Sequence, residues 1–335
     1  MDNLIFSLNA TMPIFILMLL GMFFRRIGFL NDEFTSQLNR FVFRIALPVL
    51  LFEDLAEQDF AAAWDGSFVL FCFCVTCVSI ALVSLLSMVF VHSKAERGEF
   101  IQAAYRSSAA LLGIAFIHNI YGDTSTAMGP LMIIGSVPLY NIAAVTVLVM
   151  TAEDGKAPAK TASGTGKDAQ EKKAASGKAL MLRTLKNVVT NPLILGILLG
   201  LVWSLLGIPE PAVMKSVVSS VGALATPLGL MAMGASFDLE KARKSAGPAA
   251  VAALIKLFGL AALFLPLAVR LGFRNEQLIA ILVMLGSSTT VSSFVMARNM
   301  GHEGTLTASA VMLTTLGAAF SLTFWLYVLK SLALI

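Results

Sequence analysis

Ser287-Ser288-Thr289-Thr290-Val291-Ser292-Ser293 sets six hydroxyl side chains in seven consecutive positions. The stretch around it, Leu278 to Met296, is otherwise apolar enough to cross a bilayer. Hydrocarbon offers such groups no partner, and Ser and Thr compete for the backbone hydrogen bonds that hold a helix together. The segment is expected to be a helix that breaks, or lines a wet cavity, halfway across a membrane. A polar solute crossing there accounts for the pattern. A plainer account is that the hydroxyls bond back to their own helix and help neighbouring helices pack.

The rest of the chain supports the membrane setting. Of 335 residues, 57% are hydrophobic and 13% charged, with a mean hydropathy of +0.83; soluble domains carry about 25% charged residues. Apolar runs near 4–24, 38–52, 67–91, 100–118, 127–150, 190–207, 213–235, 247–269, 277–297 and 306–329 suit spanning helices of about 20 residues. The fold class is therefore an all-α membrane protein with about ten transmembrane helices. The runs do not alternate as β-barrel strands do. No basic segment precedes the first run, which reads as a retained helix and not a signal peptide. Little chain remains for a soluble domain, so function belongs to the bundle.

Charge sets the expected orientation. Loops 25–37, 92–99, 151–187 and 238–246 carry Arg25, Arg26, Lys94, Arg97, eight Lys/Arg in the long loop, and Lys241, Arg243 and Lys244. Loop 53–66 carries Glu53, Asp54, Glu57, Asp59 and Asp65 and no base. The positive-inside rule puts the first four in the cytoplasm and the last outside. Ten spans then leave both termini outside. Arg270 and Arg274 run weakly against this. Cys72, Cys74 and Cys77 share one span, but at about 100° per residue Cys72 faces away from the others, so they read as packing residues.

The chain repeats itself. Residues 151–180 are rich in Lys, Ala, Gly and Ser and form the core of a flexible linker, 151–187, between a first unit, 1–150, and a second, 188–335. Pro13, Gly21, Gly28, Pro48 and Asp59 recur as Pro192, Gly200, Gly207, Pro227 and Asp238, each 179 residues later (192 − 13 = 179). Ser107-Ser108, Asn119 and Asp123 recur as Ser287-Ser288, Asn299 and Glu303 at an offset of 180 (287 − 107 = 180). Arg25, Arg26, Arg40 and Arg44 correspond to Ser204, Leu205, Ser219 and Ala223. Hydropathy is kept while the bases are removed. Five spans per unit is an odd number, so the second unit enters from the opposite side. Inverted repeats of this kind put a transport site at their interface.

The fourth span, the repeat partner of the hydroxyl-rich ninth, is polar in its own right, with Gln102, Arg106, Ser107, Ser108 and Gly113. Two interrupted helices in equivalent positions would expose half-helix N-termini, whose free N–H groups favour an anion. Candidate substrate contacts are Arg106, Ser107, Ser108, Gly113, Ser287, Ser288, Thr289, Thr290, Ser292 and Arg298. Asn141, mid-span after Pro138, and Lys256, nine residues into the eighth span, join them. A charge at the depth of Lys256 needs a partner, unless the side chain snorkels to the surface. Arg106 and Arg298 also suit the role of membrane-edge anchors. Glu53, Asp54, Asp59 and Asp238 sit at span ends and read as a solvated face, with a proton-coupling carboxylate among them as the alternative. Gly196-Ile-Leu-Leu-Gly200 lets helices approach closely. His92, His118 and His302 lie at span edges without metal-ligand spacing, and no phosphate loop, nucleophile elbow or HExxH motif occurs. No cofactor, metal or nucleic acid is expected.

Several segments together resemble the auxin efflux carrier family, in its bacterial branch of malonate or malate permeases. They are Pro13…Gly21…Gly28-Phe-Leu, Ala46-Leu-Pro48-Val-Leu-Leu-Phe52, Asn191-Pro192-Leu-Ile-Leu-Gly196, Thr226-Pro227-Leu-Gly-Leu-Met-Ala-Met-Gly234 and Val291-Ser-Ser-Phe-Val-Met-Ala-Arg-Asn-Met-Gly301. The resemblance covers essentially the whole chain. It implies two inverted five-helix repeats, with helices 1, 2, 6 and 7 as a scaffold, often dimeric, and helices 3–5 and 8–10 as a transport unit with broken, crossing helices 4 and 9. It also implies carriage of a small organic anion. The family usually has Asn-x-Gly-x-x-Gly-x-Pro at the fourth helix. Here Ser108 stands for Asn, Ala110 for the first Gly and Ala115 for Pro, and Ser288 takes the usual Pro position of the ninth. Any break must then come from Gly113 and the hydroxyl cluster. The reading is a secondary transporter of small carboxylates and not an enzyme. A sodium-coupled symporter of the bile-acid type, with few acids at mid-membrane to support it, and a non-transporting receptor, with no signalling domain in sight, are the alternatives.

Overall fold

The computed structural model describes residues 2–56, 64–109, 117, 120–121, 128–152 and 190–335. The expectations for Gly113, Glu57, Asp59, His118, Asn119, Asp123 and most of the linker lie outside these residues. The described chain is helical throughout. It comprises α1 Asp2–Arg26, α2 Asp32–Phe41, α3 Leu47–Ala56, α4 Gly66–Phe90, α5 Lys94–Tyr105, α6 Met128–Thr151, α7 Pro192–Leu205, α8 Ala212–Gly222, α9 Ala225–Ala235, α10 Leu239–Lys244, α11 Ala246–Leu254, α12 Leu260–Arg270, α13 Asn275–Gly286, α14 Ser292–Asn299 and α15 Thr305–Ser331. One π-turn, Val42–Ala46, joins α2 to α3, and another, Ile255–Gly259, joins α11 to α12. Five helical stretches among the described residues are long and apolar enough to cross a membrane: Gly66–Phe90, Met128–Thr151, Ala212–Ala235, Ala246–Arg270 and Thr305–Ser331. Pro192–Leu205 and Asn275–Gly286 are shorter apolar helices.

Local chemistry starts these helices where they start. The Asn31 carboxamide accepts from Phe34 N at 2.8 Å, and Asp65 Oδ1 accepts from Ser67 N and Phe68 N, both at 3.1 Å. Asn191 accepts from Leu193 N at 2.9 Å with Pro192 at the first helical position. Each satisfies amides that a helix N-terminus leaves bare. Gly28 and Gly207, one repeat apart, both follow a helix end in the left-handed region, at φ 77° and 60°.

Two backbone-to-backbone packings hold the frame. Helix α1 lies against α9, and α3 against α7. A Cβ at Gly21 would collide with the Met231 carbonyl, and one at Gly200 with the Phe52 carbonyl. Adding 179 turns 21 into 200 and 52 into 231, so the second contact is the first with partners exchanged. The core is continuous with this frame. Phe68, Phe100, Met132, Leu148, Leu193, Met233 and Phe294 are all at or below 2% exposure. Cys72 is buried and Cys74 and Cys77 are exposed, as the helical spacing requires.

Candidate functional site

Helix α13 stops at Gly286, and the backbone of Ser287 is extended, at φ −79° and ψ 170°. The helical path resumes at Ser292. Helix α5 stops at Tyr105, and Arg106 is extended too, at φ −78° and ψ 129°. The two non-helical segments meet: Ser108 N donates to Ser288 O at 2.9 Å. Hydroxyls secure the meeting point. Thr289 Oγ1 donates to Ala103 O at 2.7 Å, Ser107 Oγ donates to Met284 O, and Thr314 Oγ1 accepts from Thr289 N at 3.0 Å. Gln102 Nε2 reaches Ser293 O at 2.9 Å. Neither break contains proline. The Ser and Thr side chains supply donors and acceptors that the interrupted helices have lost, and they do so across the contact and not within one helix. The first turn of α14 has no side-chain cap, and its Ser293 and Phe294 amides donate instead to Thr290 O at 3.1 Å and Val291 O at 3.0 Å.

Lys256 is completely buried in the π-turn Ile255–Gly259. Its Nζ donates to Leu285 O at 2.7 Å, to Met284 O at 3.3 Å and to Ser107 Oγ. Three acceptors match the three hydrogens of an ammonium. Two of them are the last carbonyls of α13, where the helix dipole is negative. Tyr140 Oη adds a bond to Met284 O at 3.2 Å. The lysine therefore caps the break and does not snorkel.

Beside the meeting point lies a cavity of about 70 Å³. Leu47, Leu50, Leu51, Val137 and Val295 form its apolar walls, and Arg106, Ser107, Ser108, Tyr140, Asn141, Ser288, Thr289, Thr290 and Ser292 supply polar groups. Arg106 is 3% exposed. Its Nη2 donates to Asn141 Oδ1 at 2.7 Å, and its Nη1 touches the Met296 sulfur. Among the described residues no carboxylate pairs with it. It is an arginine with spare donors, out of water, on a cavity whose described lining also holds Asp54.

Of the sequence candidates, Arg106, Ser107, Ser108, Asn141, Ser288, Thr289, Thr290 and Ser292 come together on this cavity. Three do not line it. Lys256 lies behind the break. Ser287 is fully buried, its Oγ without a partner in the structure. Arg298 is exposed at the end of α14, where it donates to Glu303 O at 3.1 Å. Conversely, Asp54, which its place at a span end marks as solvated, lines the cavity, as do Thr226 and Thr315. Thr315 Oγ1 is buried and unpaired there. Single hydroxyls inside apolar helices carry no contrast that a sequence pattern could reveal.

A second buried polar cluster is structural. Glu99 accepts from Gly304 N at 2.8 Å and Thr307 N at 3.0 Å, capping α15, and the His302 ring nitrogens lie 2.9 Å from Ala95 O and Leu148 O. Among the described residues no group of three or more His, Cys, Asp or Glu side chains is placed to hold a metal.

A family model described as "Membrane transport protein" matches residues 6–326. The chain belongs to that family. It is the auxin efflux carrier family that the motifs resemble. A protein of Rhizobium meliloti (strain 1021) named "Putative malonate transporter" is 24% identical over 333 residues, covering 97% of each chain. An "Uncharacterized transporter" of Methanothermobacter thermautotrophicus (strain Delta H) is 19% identical over 324 residues, covering 96% of this chain and 98% of its own. This member is thus a membrane transport protein and not an enzyme.

Proposed function

We propose that this transporter carries small organic anions, carboxylates in particular, by alternating access at the meeting point of its two broken helices. The observation that carries the reading is Arg106, a buried guanidinium on the cavity wall with no acid against it among the described residues. A carboxylate would pair with it through two parallel hydrogen bonds. The hydroxyls of Ser108, Thr290 and Ser292 would hold the remaining oxygens. The relative named for malonate supports the same substrate class.

Inverted repeats give many transporters two equivalent states to alternate between, and the proposal includes the inverted five-helix repeats. Contacts that exchange partners under the repeat offset support it. Gly21 with Met231 becomes Gly200 with Phe52. Ser108 meets Ser288, its own counterpart at an offset of 180, as residues on a two-fold axis do. Glu99, near the start of the fourth span, caps the last helix, and Glu276, at the start of the ninth, accepts from Met128 N at the start of α6. The two pairs match in place and not residue by residue, because an offset of 180 takes Glu99 to Ile279 and Glu276 back to Glu96.

The test is Arg106→Gln. Malonate is expected to raise the melting temperature of the purified wild type by mass action and to drive counterflow of labelled malonate in proteoliposomes. The variant should bind at least about tenfold more weakly, the loss expected for charge-assisted hydrogen bonds. A wild type that responds to no member of a mono- and dicarboxylate panel would end the proposal.

A further inference from the structure

We infer that Asn141 sets the anion selectivity of this cavity, by fixing the Arg106 guanidinium without neutralising it. The inference rests on the carboxylate reading above and deepens it. Asn141 is completely buried, lies on α6, and lines the cavity next to Arg106. Its Nδ2 donates to Val137 O at 2.9 Å, one turn back on its own helix, and its Oδ1 accepts from Arg106 Nη2 at 2.7 Å. Both contacts demand one orientation of the amide. Turned over, it would set oxygen against the Val137 carbonyl and N–H against N–H. The amide is therefore a rigid acceptor, and it holds one edge of the guanidinium in place.

What matters is that this acceptor is neutral. A carboxylate of the same size at position 141 would complete an internal ion pair, and an incoming anion would then face an arginine already matched and a negative neighbour. The other close neighbour of the guanidinium, the Met296 sulfur, is neutral as well. Asn141 and Met296 thus leave the positive charge to the ligand and spare N–H groups for a planar bidentate partner. Asn141 is a positioning residue for Arg106. It makes a singly engaged carboxylate group the preferred occupant, and it disfavours neutral amides of the same shape, which cannot match the charge.

Asn141→Asp separates this role from a merely structural one, because binding and stability should move in opposite directions. The expected result is a loss of the malonate-induced thermal shift, with affinity down about 100-fold. The unliganded melting temperature should equal or exceed that of the wild type, because the new ion pair outweighs the oxygen that the aspartate sets against the Val137 carbonyl. Asn141→Ala, which only frees the arginine, should lower both the unliganded melting temperature and the malonate affinity, the latter about tenfold. Malonate bound by Asn141→Asp within about threefold of wild type, while Arg106→Gln abolishes it, would overturn the inference and leave the carboxylate reading standing. A melting temperature of Asn141→Asp below that of wild type would overturn it also. If Arg106→Gln binds malonate as the wild type does, both fall together.

Discussion

The two broken helices are built to the same plan and finished differently. Helix α13 ends in carbonyls gathered by the Lys256 amino group, the Ser107 hydroxyl and the Tyr140 hydroxyl. Helix α5 ends in a carbonyl that receives one neutral hydroxyl, that of Thr289. The Arg106 guanidinium follows α5 onto the cavity wall, while α14 brings the Ser292 hydroxyl. One break is thus anchored by a cation behind it, and the other carries a cation onto the cavity. The two breaks share a backbone arrangement, and a handful of side chains tell them apart.

The sharpest challenge to that comparison is Lys256→Met, which keeps most of the volume. Removing it strands the Leu285 carbonyl in a dry environment and weakens the hold on Ser107. A loss of about 3 kcal/mol is expected, read as a clear fall in melting temperature in detergent. A melting temperature indistinguishable from wild type would mean that the lysine is not the anchor. Thr289→Val should cost less, about 1 kcal/mol, because one neutral hydrogen bond is at stake. If the threonine variant were the more damaged of the two, the division between charged and neutral caps would be wrong.

The outer ends of the same half-helices offer the smallest and finest test. Gln277, on α13, donates to Asp65 Oδ2 at 2.8 Å, and Glu96, on α5, accepts from Ser245 Oγ at 2.6 Å. The Ser67 hydroxyl, with help from the Phe68 and Ser67 amides and Gln277, holds the Asp65 carboxyl below its usual range against a modest opposing effect of burial. A depressed carboxyl contributes stability above the unfolded aspartate range and loses it as pH falls. Wild type should therefore exceed Asp65→Asn by about 0.5 kcal/mol at neutral pH, the scale of a charge at a helix N-terminus. The gap should close as the medium is acidified through the carboxylate range. A gap that widens in acid would contradict the assigned sign.

Much of this was legible in the residues. Six hydroxyls in seven positions cannot sit quietly in a spanning helix, and α13 does stop among them. The glycine and proline spacing pointed to Gly21 and Gly200, because close backbone approach is something only glycine allows. Arg106 and Arg298 looked alike, since each lies near the end of an apolar run. Burial separates them, and burial depends on which helices close over a position, information that one helix's periodicity does not hold. Lys256 showed its depth but not its direction. Asp54 shows the same limit: its place at a span end gives no sign that it also lines the cavity.

The bond from Ser108 to Ser288 joins positions 180 residues apart (288 − 108 = 180). At about 5–20 residues per second, the ribosome needs roughly ten to forty seconds to supply the second member after the first. For that whole interval Arg106 lacks Met296, and for most of it Ser107 lacks Lys256 and Met284. Asn141, made only 35 residues after Arg106, is the partner that arrives early. Biogenesis thus exposes a lone guanidinium to lipid for a short time only, and an amide is there to shelter it until the remainder of the polypeptide has been threaded in.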